Sequence, residues 1–369
     1  MSTKIKTKEE FIEAVVKEIQ KRYPDSNVII KSVIKSGYDA PLTGLVISDN
    51  DNNIVPTVYL DDIYNNEYLT NAKRHSDDYI ALMAAADTVE NTYIENQLDK
   101  PFNIDTFNDW DQAKDHLFLT LENVNYSREF IKEHVFKTDP DLNDLGYALR
   151  YEVATKDTTN MTSIAITPEH LKYWGVTADE AIGYARQNME KLHPAKVETL
   201  DSMLTDLMGY NPYSTEEAEK MQDAMPTFVV TNDIMTKGAV AMEYKGVLHD
   251  LSDKIGRDNQ KDFIILPSSI HEVIVTPVPH CDLNQDRYES LRNMIRDINC
   301  EEVAPEERLS DHVYFYDYER DLVYNPDFER DERNNGPDMD EDEQEQALEE
   351  RADEANAGEQ EIEDDSFTR

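Results

Sequence analysis

The chain has 369 residues, of which 78 are acidic and 36 are basic, and its formal net charge is −42. A charge of this sign repels nucleic acid and anionic membrane surfaces and attracts basic proteins or cations. It therefore excludes a protein that binds nucleic acid non-specifically. Hydrophobic residues make up 39% of the chain, which is enough to build a packed core.

The cysteines and the apolar runs define the expected compartment. Only Cys281 and Cys300 occur, so a disulfide framework is excluded. The N-terminal sequence MSTKIKTKEEF lacks the apolar segment of a signal peptide. No apolar run reaches the length of about 18 residues that a membrane-spanning helix needs. We therefore expect a cytoplasmic protein that makes no membrane contact.

The N-terminal part of the chain predicts a helix followed by strands. Thr7 and Glu10 have the spacing of a capping box, and Pro24 ends the helix that begins there. Three strand-like segments and one long helix are then predicted over 28–34, 42–47, 54–60 and 71–97.

Apolar periodicity and capping residues predict both kinds of element in the middle of the chain. The predicted helices cover 126–136, 168–174, 178–189, 196–208 and 239–251. The predicted strands cover 117–121, 145–153, 161–166 and 227–230. Strand groups alternate with helix groups without a regular β-α-β rhythm, which favours an α+β fold.

The most apolar run is Phe263–Pro279, with the sequence FIILPSSIHEVIVTPVP. Its two apolar segments, Phe263–Leu266 and Val273–Val275, flank a turn-like Pro-Ser-Ser. We interpret the run as strand, bend and strand near the middle of a buried sheet. An amphipathic helix and a final hairpin are predicted over 283–298, 309–318 and 322–324. The fold class predicted is α+β, a mixed or antiparallel sheet with flanking helices.

The composition changes beyond Pro326. Residues 331–369 contain 17 acids and three arginines, a net charge of −14, which leaves −28 for residues 1–330. Such a segment cannot bury enough apolar surface to offset its ordering entropy. We predict one compact α+β body over 1–328, divisible into sub-lobes 1–125 and 126–328, and a disordered acidic tail over 329–369.

Four segments, in order, resemble the motifs of one family. NIVPTVYL at 53–60 is similar to an N-I-x-P-T-I-Y-L signature, and HLKYWGVTADE at 170–180 resembles the family's helical segment. LPSSIHEV at 266–273 and LSDHVY at 309–314 resemble its core and closing motifs. The chain thus resembles bacterial domain-of-unknown-function family 5688, frequent in anaerobic gut bacteria and sometimes carried on mobile elements. The resemblance covers most of residues 8–325 and implies a bacterial cytoplasmic protein, but no activity or site.

Ser268, Ser269, His271 and Glu272 form the only tight cluster of potentially reactive side chains. A serine nucleophile needs a base within hydrogen-bond reach and an acid that orients the base. On an extended chain Ser269 and His271 lie on one face and Glu272 on the other, which is poor geometry for a triad. The G-x-S-x-G elbow is also absent. The favoured interpretation is a structural bend whose hydroxyls satisfy backbone groups, with a hydrolase as the alternative.

The sequence predicts no metal and no cofactor. No H-E-x-x-H motif, Walker A loop or G-x-G-x-x-G motif occurs, and the chain contains only 11 glycines. His280 stands next to Cys281 and is the alternative partner of His271 in a metal site. An ordinary surface pair is the preferred interpretation.

Tyr314, Tyr316 and Tyr318 alternate and share one face of a predicted strand. They predict either a half-buried strand or a tyrosine-rich contact surface. With the acidic charge, they favour a non-catalytic binding or regulatory protein that contacts a basic protein partner and does not bind nucleic acid. One alternative is an acidic nucleic-acid mimic that occupies a DNA-binding protein. The other is a hydrolase centred on Ser268–Glu272.

Overall fold

The computed structural model describes residues 6–38, 40–48, 55–75, 78–98, 102–155, 161–210, 226–267 and 269–326. The predicted tail, 329–369, and Ser268 lie outside these residues. The chain divides into two units, Met1–Asn325 and Pro326–Arg369, and every element described below belongs to the first. Within the described residues, no helix combines the length and apolar character needed to cross a bilayer.

A three-stranded antiparallel sheet, four α-helices and one π-helical segment, Ile63–Tyr68, make up the described N-terminal part of the fold. The sheet has the order β1-β2-β3, and its core contains the inward residues Phe11, Val15 and Ile19 of the first helix. The helices are α1 Lys8–Arg22, α2 Leu60–Asp62, α3 Leu69–His75 and α4 Asp78–Glu95, and the strands are β1 Asn27–Val33, β2 Leu42–Ser48 and β3 Thr57–Tyr59.

The first helix begins as predicted, but the segment after β3 differs from the prediction. The Thr7 hydroxyl accepts from the N–H of Glu10, and the Glu10 carboxylate accepts from the N–H of Thr7, which completes the capping box. The predicted strand 54–60 ends at Tyr59, and helical structure starts at Leu60 rather than at residue 71. Asp61 anchors this early helical start to β2 and α1, since its carboxylate accepts from the Thr43 N–H at 2.6 Å and pairs with Lys8 at 2.5 Å.

A second, larger group of elements follows. Its helices are α5 Ile104–Asn108, α6 Trp110–Ala113, α7 Arg128–Glu133, α8 Pro168–Trp174, α9 Ala178–Leu192, α10 Leu200–Met208, α11 Val247–Ile255 and α12 Gln285–Glu301. Its strands are β4 Leu117–Asn123, β5 Phe136–Thr138, β6 Leu145–Thr155, β7 Met161–Ala165, β8 Ala195–Thr199, β9 Phe228–Asn232, β10 Asp262–Leu266, β11 Val273–Val278, β12 Tyr314–Asp317 and β13 Leu322–Tyr324.

Two antiparallel sheets organise this group. In the first, β6 pairs with β4 on one side and with β5 and β7 on the other. In the second, the order is β13-β12-β10-β11-β9-β8. The apolar run predicted as strand, bend and strand supplies β10 and β11 at the centre of this six-stranded sheet, where Phe263 and Ile265 are fully buried. The predicted α+β class is confirmed, and the sheets are antiparallel.

The hydrophobic residues form two clusters. One extends from Phe11 to Tyr93, and the other from Phe102 to Val323. The clusters therefore divide between Tyr93 and Phe102, whereas the sub-lobe boundary placed at residue 125 stays a prediction.

Two predicted helices contain strand or turn structure instead. Residues 196–208 begin with β8, which pairs with β9 from Ala195 opposite Asn232 to Thr199 opposite Phe228. Pairing with a neighbour distant in sequence decides this strand, and no local pattern reveals it. The predicted helix 239–251 begins as a 3₁₀ segment, Gly238–Glu243, and the α-helix starts only after Gly246, whose φ is +78°.

Gly238 gives the first test of the fold, because its backbone lies against β9 and the β10–β11 bend. A Cβ atom added there would lie 2.5 Å from the N atom of Asn232 and 2.8 Å from the carbonyl oxygen of His271, both backbone atoms. Gly238→Ala should therefore lower the free energy of unfolding by about 1–3 kcal/mol, the cost of overpacking. The measurement is the urea concentration at the midpoint of unfolding, compared at an unchanged slope of free energy against urea.

The matched control is Gly183→Ala within α9, where an added Cβ meets nothing within 4 Å. Alanine has the higher helix propensity, so this variant should be stabilised by up to about 1 kcal/mol. Equal midpoints for the two variants would contradict the tight approach at Gly238.

Candidate functional site

The bend between β10 and β11 is closed by the side chain of Ser269. Its hydroxyl donates to Oε1 of Glu272 at 2.8 Å and accepts from the N–H of His271 at 3.0 Å. Ser269 is 8% exposed, so these two bonds satisfy a hydroxyl that would otherwise be buried without partners. The arrangement is that of a serine turn, in which the hydroxyl replaces a backbone group.

His271 directs its ring away from this serine. Nδ1 accepts from the backbone N–H of Lys237 at 3.2 Å, and Nε2 lies 3.7 Å from Oε1 of Glu307. Burial, followed by the charge of Lys237, lowers the pKa of His271 against the opposing effects of Glu272 and Glu307. An accepting Nδ1 assigns the proton of the neutral ring to Nε2. His271 therefore does not act as a base for Ser269, because the hydroxyl hydrogen bonds Glu272 and the two ring nitrogens have other partners.

A partly buried charge cluster lies near the bend. Lys237 has a left-handed backbone, with a φ of +53°, and burial together with Arg150 lowers its pKa to about 8. Glu122, which is 2% exposed, acts in the opposite direction and accepts from the hydroxyls of Thr120 and Ser36. This cluster connects β4 with the loop that follows β1, so we assign it a structural role.

The three alternating tyrosines do not present a common contact surface. Tyr314 and Tyr316 are 0% and 1% exposed, and their hydroxyls donate to Asp144 and Asp321. Phe315 on the opposite face is equally buried, so both faces of β12 are covered. Only Tyr318 is partly accessible, and its hydroxyl donates to Asp253. The two buried tyrosines therefore offer almost no surface to a partner protein, because they anchor the strand in the core.

The two histidines of the alternative metal site have different partners. His280 bonds Asp262 through Nδ1 at 2.7 Å, while His271 faces Lys237 and Glu307. Cys281 and Cys300 are exposed and unpaired thiols. Among the described residues, no group of three or more histidine, cysteine or acidic side chains is placed to hold a metal ion.

Asp144 is the centre of a buried polar network that sequence reasoning missed. It precedes β6 and is 8% exposed. Its carboxylate accepts from the Asn123 amide at 2.9 Å, the Ser310 hydroxyl at 2.7 Å and the Tyr314 hydroxyl at 2.6 Å. Burial and Asp144 raise the pKa of Tyr314, which keeps this phenol protonated as a donor. Three donors compensate a buried carboxylate that would otherwise be very costly.

The segment 309–314 is fixed around this carboxylate. Ser310 accepts from the N–H of His312 at 2.9 Å, and Nδ1 of His312 lies 2.7 Å from the Tyr288 hydroxyl. The Asn299 amide donates to the carbonyl of Ser310 and to Oδ1 of Asp311, both at 2.9 Å. The sequence signal was the polar run Ser-Asp-His directly before a buried strand, which lies within the closing motif of the resemblance.

A pocket of about 400 Å³ opens beside this network, and we call it the Arg296–Arg308 pocket. It combines two arginines, one carboxylate, one buried amide and a phenol. Its lining residues are Gly37, Tyr126, Arg296, Asn299, Cys300, Pro305, Arg308 and Asp311. Donors and acceptors thus line one concave surface of the size that small ligands use.

Glu243 is a further ionisable group with a perturbed environment. The Tyr147 hydroxyl lies 3.2 Å from Oε2 of Glu243 and 2.9 Å from Oδ2 of Asp139, so the two carboxylates share this donor. Oε1 of Glu243 has no hydrogen-bond partner among the described residues. Burial, reinforced by the charge of Asp139, raises the pKa of Glu243 to about 7. Arg186 lies over the Tyr147 ring at 4.3 Å and acts in the opposite direction.

Comparison with known proteins gives one match. The model of a family described as "Family of unknown function (DUF5688)" matches residues 8–318. Neither the curated proteins nor the solved structures contain a match to the chain.

Ser269→Ala tests the role of the bend. We expect a loss of about 1 kcal/mol in the free energy of unfolding, because the variant loses one hydroxyl that bonds twice. Ser202→Ala on the exposed face of α10 is the control and should change stability little. Labelling of the wild-type chain at Ser269 by a fluorophosphonate probe would contradict the structural assignment and support a hydrolase.

Glu243→Gln tests the raised pKa. Between pH 4.5 and about 7 the folded chain binds a proton at Glu243 that the unfolded chain has released, so folding stability falls as pH rises through this range. The glutamine variant stays neutral and should show a smaller fall in urea midpoint from pH 5 to pH 8. The exposed Glu319→Gln should follow the wild type. Parallel pH curves for wild type and Glu243→Gln would refute the raised pKa.

Proposed function

We infer the function from geometry, because the chain belongs to a family of unknown function, DUF5688. We propose a non-catalytic binding or regulatory protein that contacts a basic protein partner. The bend supports the non-catalytic part of this proposal, since Ser269 bonds Glu272 and His271 bonds Lys237. A serine hydrolase needs these two side chains to bond each other.

We infer the basic partner from a surface that exposes acidic side chains on three helices and on the residues beside them. Trp174 on α8 donates its indole N–H to the carbonyl of Phe107 on α5 at 2.8 Å, and its ring lies 5.6 Å from that of Trp110 on α6. These contacts hold α5, α6 and α8 together. We call their outer face the α5–α8 surface, and its residues are Ile104, Asp105, Asp109, Asp111, Asp115, Glu169 and Tyr173.

The α5–α8 surface exposes both apolar and acidic side chains. Ile104 is 42% exposed and Tyr173 is 67% exposed, which places two large apolar side chains in solvent. Five exposed carboxylates belong to the same segments, together with two lysines, Lys114 and Lys172. Lys114 pairs with Asp111 at 2.7 Å, and Lys172 acts on the charge of Glu169. The remaining acidic surplus and the exposed apolar side chains complement a basic surface.

The overall charge supports the same partner. Residues 1–330 carry −28, which accelerates encounter with a cationic protein and opposes binding to nucleic acid. We propose a cytoplasmic location, because both cysteines are exposed free thiols and a reducing compartment keeps thiols unpaired.

The test of this proposal is the association rate of the chain with the partner that affinity capture identifies. The rate should fall at least about tenfold from low to high ionic strength, because salt screens the steering field. Asp105→Asn with Asp115→Asn should lower the low-salt rate several-fold. The control is Glu301→Gln with Glu319→Gln, which removes the same charge from exposed sites outside the α5–α8 surface.

Three outcomes would count against the proposal. A salt-independent rate would refute electrostatic steering, and equal effects of the two double variants would refute the α5–α8 surface. Competition between the chain and duplex DNA for a captured DNA-binding protein would support the nucleic-acid mimic instead.

A further inference from the structure

Asn299 fixes one wall of the Arg296–Arg308 pocket. It is 2% exposed, and its Nδ2 donates to the carbonyl of Ser310 and to Oδ1 of Asp311. The Asp311 carboxylate of the pocket lining is therefore held in place from inside the fold.

Asp311 adds a negative charge to the same wall. Its Oδ1 accepts from Asn299 at 2.9 Å, and its Oδ2 accepts from the Tyr126 hydroxyl at 2.7 Å. Each carboxylate oxygen has two acceptor positions, so both keep one for a ligand. The two oxygens of Asp311 therefore form an acceptor pair that favours a cationic donor such as an ammonium group.

The two arginines supply the opposite charge. Arg308 is braced by the backbone, with Nε donating to the carbonyl of Val303 at 3.0 Å and Nη2 to that of Cys300 at 3.5 Å. Guanidinium has five N–H donors, so the braced side chain keeps others for a ligand. Arg296, on the exposed side of α12, makes no ion pair with a described residue. Guanidinium groups bind carboxylates with two parallel hydrogen bonds.

We propose that the Arg296–Arg308 pocket binds a small zwitterion of the amino-acid class. The ligand carboxylate bonds Arg296 and Arg308, and its ammonium group bonds Asp311. Both ligand charges are then matched. The proposal is independent of the basic protein partner.

The surroundings favour a zwitterion over a simple anion. An inorganic phosphate would bond the arginines, but it would face the Asp311 carboxylate and bring no ammonium group to the acceptor pair. The body charge of −28 also repels ligands with a net negative charge, whereas a zwitterion has none. A pocket of about 400 Å³ lies at the small end of the range for ligand sites, which suits a molecule of this size.

The experiment is isothermal titration of the full chain with the standard amino acids at millimolar concentration. The matched probes are acetate for the carboxylate alone, methylammonium for the ammonium alone and inorganic phosphate. We expect one or more amino acids to bind and all three single-charge probes to fail. Arg296→Gln should weaken binding about tenfold or more, because it removes a charge-assisted bond from an exposed position that the fold does not need.

Arg287→Gln is the control, since it lies on the same helix outside the pocket lining. It should leave affinity unchanged. Absence of binding by every amino acid would overturn the proposal, as would equal binding of acetate and phosphate, which would define a general anion site. Equal losses for Arg296→Gln and Arg287→Gln would place the ligand elsewhere.

Discussion

The buried carboxylate of Asp144 is the constraint on which the largest core depends. Two parts of the chain far apart in sequence give it three donors, namely Asn123 at the end of β4, and Ser310 and Tyr314 just before and within β12. Removing any donor would leave a charged acceptor undersatisfied in the core, and removing the carboxylate would orphan three donors. The four-stranded and six-stranded sheets are therefore joined by a polar contact with strict geometry as well as by apolar packing.

The same network forms one wall of the Arg296–Arg308 pocket. Asn299 donates one N–H to the Ser310 carbonyl and the other to Asp311. The Tyr126 hydroxyl donates to the remaining oxygen of Asp311. The polar groups of the pocket wall thus also complete the core, and a wall held in this way loses little entropy when a ligand binds.

The sequence allowed the fold class and the central strands to be predicted, since Phe263–Leu266 and Val273–Val275 have the apolar pattern of buried strands. It did not reveal β8, because Ala195–Thr199 is a strand only through its pairing with β9. The bonds of Ser269 are accessible to local reasoning, as they reach two or three residues along the chain. Asp144 was missed for the opposite reason, because the partners that define it lie up to 170 positions away.

Charge has two separate uses in this chain. Over the surface, the acid surplus makes a long-range field, which under our proposal favours a basic macromolecular partner. In the Arg296–Arg308 pocket, two arginines oppose that field at short range and stand against a single carboxylate. At physiological salt, screening weakens the surface field beyond about 8 Å, whereas direct hydrogen bonds in a pocket are screened much less. The proposed zwitterion gains from direct hydrogen bonds in the pocket and, because it has no net charge, is not repelled by the long-range field.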